Sequence, residues 1–176
     1  YALLSRNRSN FKFAKNLLKR SISKYPTKID HYILLAEIFR LEKDFTKAQE
    51  LLFKALKIDP RSSNTAYNLS LLFRDLGKRV EAISSINKAI KFMPTNYVYK
   101  LLKADLLKDL GNFNQSTSIL LDLYSARNIK DKKDILLMLS SVKRLDNNFN
   151  EAEKILLETI EQYPNFIQAY LNLSDL

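Results

Sequence analysis

The sequence predicts an all-α protein built as a stack of antiparallel helix pairs, and three observations carry that expectation. The first is composition: of 176 residues only two are glycine and four are proline, too few turn-formers for the hairpins of an all-β architecture. The second is the placement of the prolines. Pro26, Pro60 and Pro94 lie 34 residues apart, and Pro164 follows two such periods and two residues later. The third is that apolar residues recur at spacings of three and four twice within each period, the mark of two amphipathic helices per unit.

Taken in order, the first predicted helix covers 11–24 and is followed by pairs at 29–41 and 45–58, 63–76 and 79–92, 97–110 and 113–126, and 133–145 and 149–162. A last helix starts at 167. In the pair from Ile29, the first helix is expected to bury Tyr32, Leu35, Ala36 and Phe39, and the second Phe45, Ala48, Leu52 and Ala55. Between the two helices of each pair stand Lys43–Asp44, Gly77–Lys78, Gly111–Asn112 and Asn147–Asn148, mostly residues that tolerate a left-handed turn. Pro60 and Pro94 cannot continue a helix, so they redirect the chain into the next pair. One pair cannot bury both of its faces; stacking is what stabilises it, and the expected class is an α-solenoid.

With each proline set at repeat position 32, position 20 reads Ala14, Ala48, Ala82, Ser116 and Ala152, and position 8 reads Ala2, Ala36, Ser70, Ala104, Ser140 and Ser174. Position 24 reads Leu18, Leu52, Ile86, Leu120 and Leu156. The small residues let paired helices approach closely. These columns resemble the tetratricopeptide repeat (TPR), a 34-residue helix–turn–helix unit. The resemblance spans one array over 1–176: a partial repeat at 1–28, full repeats at 29–62, 63–96, 97–132 and 133–166, and the start of a further one at 167–176. Both ends stop inside a repeat, so a longer protein is expected, its exposed ends covered by crystal or homo-oligomer contacts. In the last helix Tyr170 and Leu173 are expected to pack back on the preceding pair. The repeat at 97–132 departs from the pattern. It has Asn128 in place of proline, lysines at Lys100 and Lys103, and two extra residues near Asp131–Lys132, which together predict a looser stack or altered twist.

Several chemistries are excluded at this level. The absence of cysteine removes disulfides, thiolate zinc sites and cysteine nucleophiles. Two glycines cannot build a phosphate-cradling loop. The single histidine, His31, stands beside Asp30, but adjacent helical positions point about 100° apart, so it reads as a surface or repeat-interface residue. Acid pairs such as Glu151/Glu153 and Glu158/Glu161 lie among lysines on one helix and read as solvated faces, not as carboxylates opposed across a cleft. No catalytic residue, metal site or cofactor is assigned. No apolar run reaches the roughly eighteen residues of a membrane span. No signal peptide is visible, and with a chain opening on Tyr1 the localisation is left open, the cytoplasm being the default.

The net charge is +10 and is local. Residues 1–28 hold eight bases and no acid, while the other 148 residues hold 21 bases against 19 acids. A solvated face is the leading reading of this cluster, ahead of contact with nucleic acid or an anionic membrane surface.

One column bears on function. Position 12 reads Arg6, Arg40, Arg74, Lys108 and Arg144. By the TPR resemblance, first helices line a ligand groove with positions 2, 5, 6, 9, 12 and 13 facing the ligand, which makes these five a basic ladder. The same residues sit in the last turn of a helix, where a cation offsets the negative dipole end by ~0.3–1 kcal/mol whether or not anything binds. Other groove candidates are Glu37, Asn64, Tyr67, Asn68 and Asp105. A TPR clamp for a chaperone's terminal carboxylate would need Lys, Asn, Asn, Lys and Arg. Only Asn68 matches, with Ile33, Glu37, Val98 and Leu102 elsewhere. The resemblance implies a scaffold that binds a protein or peptide, and the basic ladder favours an acidic one. Its alternative is a substrate-recruiting segment of a larger transferase-type enzyme.

Overall fold

The computed structural model describes residues 8–127 and 129–176. Among these there are ten helices and no strand: α1 (Arg8–Lys24), α2 (Ile29–Leu41), α3 (Phe45–Ile58), α4 (Ser63–Asp75), α5 (Arg79–Phe92), α6 (Tyr97–Asp109), α7 (Phe113–Ser125), α8 (Lys133–Leu145), α9 (Phe149–Gln162) and α10 (Ile167–Ser174). The chain divides into two compact units, Tyr1–Pro94 and Thr95–Leu176. In the first, α2 packs on α1, α3 and α4, and α5 closes on α4; in the second, α8 packs on α6, α7 and α9, α7 closes on α6, and α10 packs on α9. The expected all-α class of helix pairs is observed, and nine helices match their predicted bounds within a residue or so. The exception is α1, which starts three residues before the predicted 11, because the polar run Arg8-Ser9-Asn10 holds nothing that breaks a helix.

Each pair turns through the same device. Lys43, Gly77, Gly111 and Asn147 adopt positive φ of 62–75°. Each donates its N–H to the carbonyl of position 12 (Arg40, Arg74, Lys108, Arg144), and the next residue donates to the carbonyl five back (Phe39, Phe73, Leu107, Lys143). This paired C-cap satisfies carbonyls that the helix end would otherwise orphan.

The small-residue columns meet at the helix crossings. Ala36, Ala48, Ala82, Ala104 and Ala152 are at most 1% exposed. At two of the serines in these columns the hydroxyl spans the crossing: Ser70 Oγ donates to the Ala82 carbonyl at 2.9 Å, and Ser116 Oγ to the Ala104 carbonyl at 2.7 Å, whereas Ser140 and Ser174 donate within their own helices to Leu137 and Leu171. The hydroxyl comes from position 8 in one pair and position 20 in the other, and either placement keeps a buried polar group satisfied.

Two expected packing assignments are corrected. Phe45 is half-buried, not buried, while Ala48, Leu52 and Ala55 form the buried stripe of α3. Tyr170 stays 46% exposed, its hydroxyl donating to the Pro164 carbonyl at 3.1 Å. Ala169 supplies the buried contact of α10, because a small residue lets a short helix approach its neighbour.

Candidate functional site

The faces that α2 and α4 share in the first unit, and α6 and α8 in the second, hold most of the sequence-predicted ligand residues. Arg6 lies outside the described residues. On α2, Arg40 reaches across to α4 and donates from Nη1 to Asp75 Oδ2 at 2.6 Å, its side chain only 15% exposed. Arg74 Nε lies 3.8 Å from the other carboxylate oxygen of Asp75. The two described rungs of the first unit therefore converge on one carboxylate. The Nε of Arg40 is buried without a hydrogen-bond partner, as is Nδ1 of the half-buried His31. Glu37 is half-buried one turn before Arg40. Burial holds its carboxyl above the ordinary value, and the Arg40 charge opposes that rise.

On α4, Asn64 is exposed and Tyr67 and Asn68 are half-buried, with Asn68 Nδ2 donating to the Asn64 carbonyl at 2.9 Å. Leu34 of α2, 45% exposed, and half-buried Leu71 of α4 supply apolar surface between the polar groups. In the second unit, Lys108 Nζ donates to Asp105 at 2.6 Å within α6. On α8, Arg144 is exposed, whereas neighbouring Lys143 pairs with Glu151 of α9 at 2.8 Å. Ile33 and Leu102 are buried, so two positions of the chaperone clamp point into the core.

Three rungs of the ladder thus carry an acid of their own unit, a feature the column of bases did not display. Asp75 is the residue missed. Its signal was available in the sequence as an acid at position 13, directly after the position-12 base. Among the described residues, no group of three histidine or carboxylate side chains is placed to hold a metal ion. Glu151 is tied to Asn148 at 2.8 Å, and Glu153, Glu158 and Glu161 are exposed on α9.

Residues 30–62 and 63–96 each match the family described as tetratricopeptide repeat. Over 83 residues, 47% of this chain and 16% of the relative, the sequence is 31% identical to BBSome complex member BBS4 of Bos taurus. It is 24% identical over 166 residues, 91% of this chain and 18% of the relative, to protein O-mannosyl-transferase TMTC3 of Homo sapiens. The chain therefore spans less than a fifth of the length of these curated relatives. Among solved structures, a tetratricopeptide repeat protein from Parabacteroides merdae superposes with a TM-score of 0.81 at 18% identity, over 96% of this chain and 66% of that one. YrrB, described as a TPR protein with an unusual peptide-binding site, superposes with a TM-score of 0.72 at 14% identity, over 96% of this chain and 85% of that one.

Proposed function

Because the chain is built of tetratricopeptide repeats, we propose that it is an interaction scaffold that holds a peptide or protein partner on its first-helix faces and performs no chemistry of its own. The observation that carries this reading is the mixed surface of α2 and α4. There Leu34 and Leu71 alternate with Arg40, Arg74, Asn64 and Asn68, a pattern suited to an extended or helical peptide. The likeness to a peptide-binding TPR structure and to a member of a multiprotein complex supports the same class of role.

The finer proposal is that the ligand is acidic and that position 12 contributes to binding it. Asp75 changes which rungs are suited to a test. Reversing Arg40 would set a half-buried glutamate against Asp75 and Glu37, costing more than the loss of a dipole contact. Arg74 and Arg144 are the better pair, one in each unit. A peptide-library screen with wild type and Arg74→Glu/Arg144→Glu, both checked for intact thermal unfolding, tests the reading. Selection of acidic peptides that weakens in the variant and at high salt is expected. Equal binding by both proteins, or selection of neutral peptides at every salt concentration, returns the column to helix-end chemistry.

A second reading, a substrate-gathering segment of a transferase-type enzyme, is favoured by the similarity to TMTC3 across most of the chain. Sequencing the reading frame on either side of these residues separates the two.

A further inference from the structure

A second surface of the first unit has charge and shape that the first-helix faces lack. Between α1 and α3, floored by α2, lies an open groove of 550 Å³, within the ~300–1,000 Å³ range of ligand clefts. Its apolar lining comes from all three helices: Ile22 of α1, Leu35 and Phe39 of α2, and Leu51 of α3. Lys19, Lys47 and Lys54 edge it, with Glu50 as the acid among the lining residues.

The lysines divide into two sets. Lys15 and Lys47 lie over the Phe39 ring, 5.3 and 5.4 Å from its centroid, and each has an acid: Lys15 pairs with Glu42 at 2.6 Å and Lys47 with Asp44 at 2.5 Å. These two stack on the floor and are already neutralised. Lys19 and Lys54, on opposite walls, are exposed and form no ion pair among the described residues. Over its 17 residues α1 carries six bases, Lys15 and Lys19 among them, and no acid. This is the reverse of the first-helix faces, where Arg40, Arg74 and Lys108 meet Asp75 and Asp105.

We propose that the α1–α3 groove is a second docking surface, for an acidic amphipathic helix of a partner protein. Charge complementarity chooses this occupant. An apolar stripe spaced i, i+4 would lie on Ile22 and Leu51, and carboxylates flanking that stripe would reach Lys19 on one wall and Lys54 on the other. A basic helix would be repelled by α1, and a neutral one would leave both rim lysines unanswered. The proposal stands independently of ligand binding on the first-helix faces.

The test is fluorescence anisotropy of the full 176-residue chain with a labelled synthetic peptide of about 16 residues, four to five helical turns, carrying leucines at i, i+4 flanked by glutamates. Lys19→Glu/Lys54→Glu, both exposed changes, should weaken binding about tenfold. Lys88→Glu, a charge-matched change at an exposed α5 residue outside the groove, should leave it unchanged, and replacing the peptide's glutamates with glutamine should weaken it. Circular dichroism confirms that each variant folds, and Ile22→Ser supplies an independent loss through the apolar wall. The proposal is overturned if the lysine reversal leaves affinity unchanged, if the glutamine peptide binds equally, or if Lys88→Glu weakens binding as much as the lysine reversal does. It is also overturned if vesicles of phosphatidylserine and phosphatidylcholine sediment the protein while the peptide does not bind.

Discussion

The joints of the first unit and the joint before α8 in the second close in different ways, while the α9–α10 joint, with Pro164 and its Tyr170 hydrogen bond, follows the first unit. In the first unit the joints are short and contain proline. The Tyr32 hydroxyl donates to the Pro26 carbonyl at 2.9 Å, and the backbone N–H of Arg61 donates to Asp59 at 2.9 Å beside Pro60. Before α8 in the second unit the joint is three residues longer and has no proline. There Ile129, only 7% exposed, joins the core formed by Leu120, Ile135, Leu139 and Ile155. Lys132 fixes the end of the same segment: its backbone N–H donates to the Tyr163 hydroxyl at 3.2 Å, and its ammonium bonds the Tyr124 carbonyl while lying 5.0 Å over that ring. A rigid turn and a buried plug do the same work. The first limits the conformations of the unfolded chain; the second fastens the loop with apolar burial. Lys100 and Lys103 of the same repeat are half-buried, their stems able to cover apolar surface while the ammonium stays wet.

Removing the plug should break the second unit's joint with the largest effect. Ile129→Ala is expected to cost about 2–4 kcal/mol, read as a lower urea midpoint and faster hydrogen exchange in α7 and α8. A cost under about 0.5 kcal/mol would mean that the segment is an ordinary loop and the contrast between the units is superficial.

The helix crossing is common to both units, so overpacking it should hurt wherever it is tried. Ala48 is fully buried, and Ala48→Leu should cost about 1–3 kcal/mol. Thermal unfolding at the wild-type midpoint would contradict the assigned register.

The turns offer a comparison with opposite signs. Lys43 holds a φ of 63° at the position where α4 and α6 are followed by glycine. Lys43→Gly should therefore stabilise the first unit, and Gly77→Ala should destabilise it, each by about 1 kcal/mol. Nothing crowds a Cβ at Gly77 within 4 Å, so that loss would report backbone conformation alone. Chemical denaturation of the two variants measures both, and shifts of the same sign would refute the turn argument.

The smallest effect concerns Glu37. Burial raises its carboxyl above 4.5 in the folded chain, so the folded state binds that proton more tightly than the unfolded state does. Its contribution is most favourable below 4.5 and is lost as pH rises through the raised value. Glu37→Gln should therefore gain stability relative to wild type as pH climbs through that window and hold a constant advantage above it. Parallel unfolding curves at pH 3.5 and 7, about one unit below and well above the ordinary value, would show that Glu37 is solvated after all.

The boundaries of the helices were legible because two independent signals coincide at every joint except the one before α8: the apolar period stops where a left-handed residue or a proline begins. The ladder was legible only as a column of bases. That Arg40 is held by Asp75 of the neighbouring helix, while Arg144 is exposed, depends on how far a side chain reaches between helices. Spacing along the chain does not encode that distance. The α1–α3 groove was invisible for the same reason. Its lining is drawn from three helices whose residues stand up to 35 positions apart, and each residue alone reads as ordinary core or ordinary lysine.

What the sequence determined by itself is the local part: which residues turn, which face each helix buries, and where small side chains permit a close crossing. These follow from backbone propensity and a period of 3.6, which act over a few residues. The tertiary structure decided how Ile129 replaces a missing proline, why Tyr170 stays in solvent, and which cations remain unanswered. Each of those outcomes depends on what a neighbouring helix brings within contact distance, and electrostatic and packing energies are set by that separation in space.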